Sequence, residues 1–542
     1  MVYWCKEPSV TGGAEGGSAM HFIEREDYTD PKVRAARYPW GTPPPKIDES
    51  LIRETVTADV AIIGGGISGL ATGARCVQLG QTVVLIDKYK GLVAHGAHIA
   101  SVGSHIQREN GVFIDKKQFA RDWMRICGSR VNEDLLWLYV NKSEEAFEWL
   151  LETGGEAIEG KLFGGYYKGP DFTEYPGTHF IVQKPGYHVY KNNKTAFLMC
   201  EIMEKVILDG GQRIDRNNRA LYLEKDETGR VVSFIARDND GVYRRYVGKK
   251  AVVLATGDIA GNREMLKYFA PLGLRAAHNG YFPEGINTGD GHQMAYWAGA
   301  EYEAHDWAIS MHLIAYSMFA FFFLHVNQQG RRYMNEDTWV QAKAIRTLEQ
   351  PGGQWAFSVF DSRWVDQVRY LSPINGGQFC EPLNAVYGEA WSDDNGIEES
   401  VERYVQNGSC FKADTLEELA EKMGVPKETF LKTVARYNEL YQKQNDEDYG
   451  KRAVLLTPID KPPFYALKFG PSLLDVFGGV NTDVKLRVLD AKDEPIPGLL
   501  AVGMVAGGLY GVDYPLLFNG NSHGRCLTWA RQAAETIANG ES

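Results

Sequence analysis

The sequence predicts an α/β fold, in which a nucleotide-binding domain built on a largely parallel sheet is interrupted by a separate α+β insertion. Three stretches carry that prediction. From Ala58 to Lys88, ADVAIIGGGISGLATGARCVQLGQTVVLIDK passes from an apolar strand through a glycine turn and a helical stretch to a second apolar strand, which is a β-α-β unit. KKAVVLATG (Lys249 to Gly257) and GLLAVGMVAGG (Gly498 to Gly508) read as further buried strands, each followed by a glycine-rich turn. They lie far apart in the chain, so the nucleotide domain is assembled from distant segments.

At 542 residues the chain exceeds one comfortable core, and at least two domains are expected. Hydrophobic residues at 44% and charged residues at 24% are ordinary for a soluble globular protein. The 58 glycines and 12% aromatics suit a ligand approached by backbone and a pocket walled by rings. A net charge of -12 disfavours nucleic acid, because phosphate binding needs a basic surface, so small molecules are the expected partners. The seven cysteines (Cys5, Cys76, Cys127, Cys200, Cys380, Cys410 and Cys526) never form a C-x-x-C pair, which points to reduced thiols. The N-terminus MVYWCKEPSVTGGAEGG has no secretion signal, and the expected location is cytoplasmic. Met311 to Val326 is apolar but contains His312 and Ser317 and is shorter than the roughly 20 residues of a spanning helix. No transmembrane segment is expected.

Residues 1–55, rich in Pro, Gly and charge, read as an extended arm. The nucleotide domain follows over 56–300, the insertion over 301–460, and the second part of the nucleotide domain over 461–542. Within the insertion, Thr415 to Gln442 shows a Thr cap, Glu418 three residues on, and helical apolar spacing, which predicts two helices joined at Gly424-Val425-Pro426.

Gly64, Gly66 and Gly69 stand in G-x-G-x-x-G register between strand and helix. Such glycines permit a tight turn and close approach to a pyrophosphate, to which the helix N-terminus offers donors. Asp87 at the end of the next strand is placed to accept from ribose hydroxyls.

Five further stretches, ATGDIAGNREML (from Ala255), NTGDGHQMAYWAGA (from Asn287), GRRYMNED (from Gly330), PPFYALK (from Pro462) and PGLLAVGMVAGG (from Pro497), resemble in their order the signatures of the fumarate reductase/succinate dehydrogenase flavoprotein superfamily. The resemblance covers roughly residues 57–542. It implies a Rossmann-like, glutathione-reductase-type FAD domain with an inserted α+β cap that closes over the flavin. It also implies a FAD site drawn from Gly64, Gly66, Ser68, Gly69, Asp87, Lys88, His98, Gly103, Thr256, Gly257, Asp290, Gly503, Met504, Arg525 and Leu527, the last two in the turn GRCLT. Met504 stands where the family usually has Glu. His95 and His98 lie near the position at which membrane-bound relatives attach FAD covalently; here FAD is expected to be non-covalent, and no metal is expected.

The family's dicarboxylate machinery is missing. Val340 stands where the resemblance places the proton-donating Arg, Tyr316 and Phe319 replace its Glu and Arg relay, LDVFGG (Leu474 to Gly479) replaces H-H-T-M-G-G, and Tyr514 replaces the Arg of G-A-N-R. A buried carboxylate without a cation costs several kcal/mol, so an apolar substrate is expected. Tyr514-Pro515 followed by GRCLT resembles a stretch of flavin-dependent 3-ketosteroid dehydrogenases, which implies that Tyr514 polarises a ketone, helped by a backbone N–H near Gly520. A phenol suits an apolar pocket as acid or donor. The expected chemistry is hydride transfer through flavin N5, with Tyr514 on the ketone and Tyr316 as acid or base, although either tyrosine reads also as a core residue. Phe319 and Trp339 near Tyr316 are expected to line the pocket, with Asp475, Asp513 and His523 as further polar candidates, for each of which a structural role reads at least as readily.

The expected function is reduction, or reverse desaturation, of the activated C=C bond of a 3-oxo steroid or bile-acid-like enone. Another activated alkene, such as an aryl enoate held by Arg363 or Arg525, is the alternative, and a flavin electron-transfer subunit without its own substrate is a third. No haem or iron–sulfur motif is visible, so a separate electron donor or acceptor is expected.

Overall fold

The computed structural model describes residues 28–170, 172–193, 195–281, 283–376, 385–389, 396–516 and 518–542. Residues 28–42 belong to one compact unit and residues 43–542 form another. In the first, Asp30 caps the helix Pro31–Arg37 by accepting from Lys32 N at 2.7 Å. The arm expected over 1–55 is therefore partly helical where described. From Ile52 onward it is strand, and residues 1–27 lie outside the described residues.

The larger unit is built on an eight-stranded sheet. Its centre is Ile52–Ile63, parallel to Val83–Ile86 on one side and to Tyr243–Leu254 on the other. Pro495–Ala501 adds in parallel beside Tyr243–Leu254, and Arg213–Asp215 beside Val83–Ile86. Val60 to Ile63, Val83 to Ile86 and Ala251 to Leu254 are all buried, as strands covered on both faces must be. Helix Ile67–Gln78 packs between this sheet and the C-terminal helix Asn521–Ala538. The distant strands thus meet in one sheet, a fold class the three apolar runs predict.

A second sheet has six strands. Its spine is Phe464–Phe477, which pairs with Ala308–Ala315, Ala356–Phe360, Cys410–Ala413 and the short His278–Asn279. Expectation had placed the spine in the returning nucleotide segment from 461; instead its 14 residues carry the second sheet, because both of its faces are apolar and need cover. A three-stranded sheet, Ile99–Ala100, Ile158–Leu162 and Thr178–Gln183, completes the framework.

The two predicted helices are Leu416–Met423, capped by Thr415 Oγ1 accepting from Glu418 N at 3.1 Å, and Lys427–Lys443. Phe321, Phe322 and Phe323 are fully buried and form a core cluster with Phe360 and Trp364. No helix among the described residues is long and apolar enough to cross a membrane.

Candidate active site

A cleft opens at the ends of the parallel strands. Its floor is the glycine turn. Gly64 takes φ +110°, and a Cβ there would lie 2.2 Å from Ala255 O, so the turn needs glycine. Gly69 faces inward: its Cβ would sit 1.8 Å from Gly64 O, and its absence lets helix and strand approach. Gly66 is different, since a Cβ there would meet no protein atom within 4 Å. Gly66 also begins Ile67–Gln78 without a side-chain cap, which leaves first-turn N–H donors facing a place where an anion fits.

Asp87 lines the same cleft, and its carboxylate holds the turn by accepting from Gly65 N at 2.5 Å and Tyr89 N at 2.6 Å. Burial pushes this carboxyl above its ordinary range despite those bonds. Lys88 Nζ and Arg219 Nη2 reach Asp290 at 3.0 and 2.9 Å. Burial alone would raise the Asp290 carboxyl, but the two cations hold it below the usual value.

The residues fit FAD. Three buried polar atoms that line the cleft, Thr256 Oγ1, Asn218 Oδ1 and His95 Nε2, have no hydrogen-bond partner, a rare condition unless a polar ligand supplies one. Ile63, Ile286 and Met294 add apolar wall to the cleft.

Helix Asn521–Ala538 contributes Ser522 and His523 from its first turn and Cys526 from its second, bringing the positive end of a helix dipole to the cleft. His523 Nδ1 donates to His98 O at 2.6 Å, and burial lowers its pKa to about 4. Burial lowers His95 as well, so the imidazoles present neutral rings. Met504 and Asp475 line the cleft beside them. Behind them Tyr514 is 4% exposed and lies flat against Phe477, and its hydroxyl oxygen accepts from Ser522 N. Burial and the nearby Asp475 hold the phenol above its ordinary pKa, so it stays a donor. Asp513 fixes the tyrosine by accepting from Tyr514 N at 2.8 Å and from Gln341 Nε2 at 3.0 Å. Arg525 is fully buried, resting on Met504 Sδ at 2.9 Å and over the Tyr510 ring at 4.7 Å.

Of the residues expected at the flavin, Gly64, Gly66, Ser68, Asp87, Lys88, Thr256, Gly257, Asp290 and Met504 line the cleft. The others do not, and each has a packing reason. Gly69 and Gly503 make room for backbone and for Ser68, whose Oγ would be 2.1 Å from a Cβ on Gly503. Leu527 and Arg525 are buried within the helix packing. Gly103 N donates to Gln107 Oε1 at 2.7 Å in the cap of the short helix His105–Glu109. The ring of His98 turns onto Phe163, 4.3 Å away, and it is His95 that reaches the cleft.

The expected substrate wall is dispersed. Gly520 is closed against His98, whose carbonyl carbon would be 2.6 Å from a Cβ, and its carbonyl accepts from Ala100 N. Phe319 stacks on Phe321 at the edge of the second sheet's core. Trp339 packs against Tyr167 and Phe172, with Nε1 buried and unpartnered. Tyr316 is 41% exposed, at φ +76°, with Lys468 Nζ 4.1 Å above its ring, and is not part of the cleft. Arg363 is held by Asp361 and Asp460. Asn218 and Arg219, which no motif singles out, enter the cleft because their strand runs beside it.

Residues 59–520 match the family described as FAD binding domain. The chain is 26% identical over 498 residues to a probable fumarate reductase of Shewanella frigidimarina, covering 89% of this chain and 75% of that one. It is 25% identical over 584 residues to a 3-oxosteroid 1-dehydrogenase of Mycolicibacterium smegmatis, covering 89% and 97%. The fold is similar to that of a 3-ketosteroid Δ4-(5α)-dehydrogenase from Rhodococcus jostii RHA1 at a TM-score of 0.69 and 24% identity, over 91% of this chain and 99% of that one. The glycine turn, the unpartnered polar atoms and the matched span together place this chain in the FAD binding domain family, as a flavin oxidoreductase of the fumarate reductase superfamily.

Proposed function

We propose that this flavoprotein reduces, or in reverse desaturates, the activated C=C bond of a 3-oxo steroid or bile-acid-like enone. The observation that carries the reading is the setting of Tyr514, a buried phenol braced by Ser522 N and Asp513, with its O–H left to donate. A hydrogen bond from this hydroxyl to a ketone stabilises negative charge developing on oxygen. Bound FAD supplies a two-electron carrier, and a separate electron donor or acceptor recharges it. The similarity to a 3-oxosteroid 1-dehydrogenase supports the same substrate class.

One feature favours an aryl enoate as a second reading: Arg525 is a buried guanidinium whose Nε has no acceptor. The test is to reduce the holoprotein anaerobically with dithionite and mix it with 3-oxo-Δ4 and 3-oxo-Δ1 steroids, cinnamate and fumarate. Reoxidation of the flavin by the ketones is expected; reoxidation by cinnamate alone would overturn the steroid reading.

A further inference from the structure

Alkene reduction needs a proton as well as a hydride, and the tyrosine expected to supply it, Tyr316, packs under Lys468 away from the cleft. Asp475 is the cleft-lining residue that meets this need. It sits on the spine strand Phe464–Phe477, directly opposite Ser310 in the antiparallel ladder. Asp475 lines the cleft together with Met504, Ser522 and Cys526, and among the described residues burial and Arg525 are what act on its carboxyl. Its neighbour Val476 donates its N–H at 2.6 Å to Asp258, a fully buried carboxyl that also accepts from Ala260 N at 3.2 Å and from the Asn287 side chain. Asp258 thus bonds to the residue next to Asp475 and is itself sealed in, while Asp475 lines the cleft.

We propose that Asp475 is the proton donor of the reaction, backed by Asp258 as a buried partner. This rests on the enone reading above. When one alkene carbon accepts hydride from reduced flavin, the electron pair of the C=C bond moves onto the ketone oxygen as an enolate. The O–H bond of Asp475 then breaks, its proton forms the new C–H bond at the adjacent carbon, and Asp475 is left as carboxylate. Solvent reprotonates it, and the separate two-electron donor restores the flavin. In the reverse direction Asp475 carboxylate removes that proton.

The surroundings suit the role. Burial raises the Asp475 carboxyl to about 6, with Arg525 pulling the other way. Burial and the nearby Asp475 together push the Asp258 carboxyl well above the ordinary carboxylate range. The other titratable groups around the pair are Tyr281 near Asp258, Tyr514, Tyr510 and Cys526 near Arg525, all held neutral by burial, and His312 on the facing strand, lowered to about 4. Arg525 is the cation among them.

The test uses FAD-loaded native protein, Asp475→Asn and Asp475→Glu, with two independent readouts. In anaerobic reoxidation by a 3-oxo-Δ4 steroid, the native rate is expected to fall as pH rises through about 6. Asp475→Asn is expected to be slower by about 100-fold or more and flat with pH, while Asp475→Glu keeps the pH dependence. Steroid affinity, read from the flavin difference spectrum, should stay within about threefold. In redox-difference infrared spectra recorded without steroid, a protonated-carboxyl band present in native protein should be missing from Asp475→Asn. An unchanged rate and pH profile in Asp475→Asn would overturn the proposal. If no enone reoxidises native protein, the substrate reading fails on its own, and an infrared spectrum without the carboxyl band then overturns the role of Asp475 separately.

Discussion

Tyr514 and Phe477 lie face to face, with ring centroids 4.3 Å apart and planes 12° from parallel. Phe477 ends the spine strand of the second sheet, so this stack fixes the phenol to the element that also carries Asp475. Tyr316 packs beside Gly470, seven residues earlier on the same strand, a span of about 23 Å in extended chain. Asp475 and the ring packed on Phe477 thus lie towards one end of the spine strand, and Tyr316, which the family resemblance pairs with Tyr514, packs further back along it.

The glycine turn separates folding from cofactor binding. A Cβ on Gly66 meets no protein atom within 4 Å, so Gly66→Ala should fold with an unchanged melting temperature of the apoprotein. FAD affinity should fall by about tenfold or more, because the methyl occupies the side from which the phosphate approaches. Gly69→Ala should instead lower the melting temperature, since its Cβ would be 1.8 Å from Gly64 O. Flavin absorbance of the purified proteins and thermal unfolding distinguish the two.

Asp290 couples stability to pH on the acid side. Lys88 and Arg219 hold its folded pKa below the unfolded value, so its contribution is complete above about pH 4 and is lost as pH falls through the lowered folded pKa. Asp290→Asn should cost about 1–3 kcal/mol at pH 7 in denaturant titrations and flatten the acid limb of the stability curve.

The nucleotide half of this architecture is legible because its signals are local: Gly64, Gly66 and Asp87 are fixed by turn geometry and strand ends, and the structure sets all three at one cleft. The substrate half depends on which face of a strand looks inward, which composition does not encode. Phe319 to Phe323 have the content of a pocket wall, yet the need to cover Phe360 and Trp364 makes them core. His98 and His95 differ by three positions, and only packing on Phe163 decides which one turns away. Asp475 was legible as a polar residue in an altered motif; its relation to Asp258, 217 positions away along the chain, becomes visible once Val476 N is seen donating to Asp258.

The GRRYMNED motif holds the second sheet together. Arg332 Nη2 contacts Glu336 and Asp446, each at 2.8 Å, and Lys451 Nζ stands 3.4 Å from Glu336, all of them at least nine-tenths buried. Burial alone would raise Glu336, but Lys451 and Arg332 lower it to about 2. Glu336→Gln should destabilise by about 3–5 kcal/mol, since it leaves buried cations short of charge. The native contribution should vanish as pH falls from about 4.5 towards 2, a loss that the variant does not show.

Arg363 should not recognise substrate. Its guanidinium is engaged by Asp361 and Asp460, so Arg363→Ala should leave the relative rates with ketones and with cinnamate unchanged. A selective loss of cinnamate turnover in that variant would restore Arg363 as an anion site.

The most direct measurement of the account is the rate at which a 3-oxo-Δ4 steroid reoxidises the dithionite-reduced flavin, compared between native protein and Tyr514→Phe at matched FAD content. The phenol's place behind the cleft predicts rapid native reoxidation that slows by about 100-fold or more when the hydroxyl is removed, with flavin binding intact. Equal rates in the two proteins, or no reoxidation of native protein by any 3-oxo steroid, would contradict it.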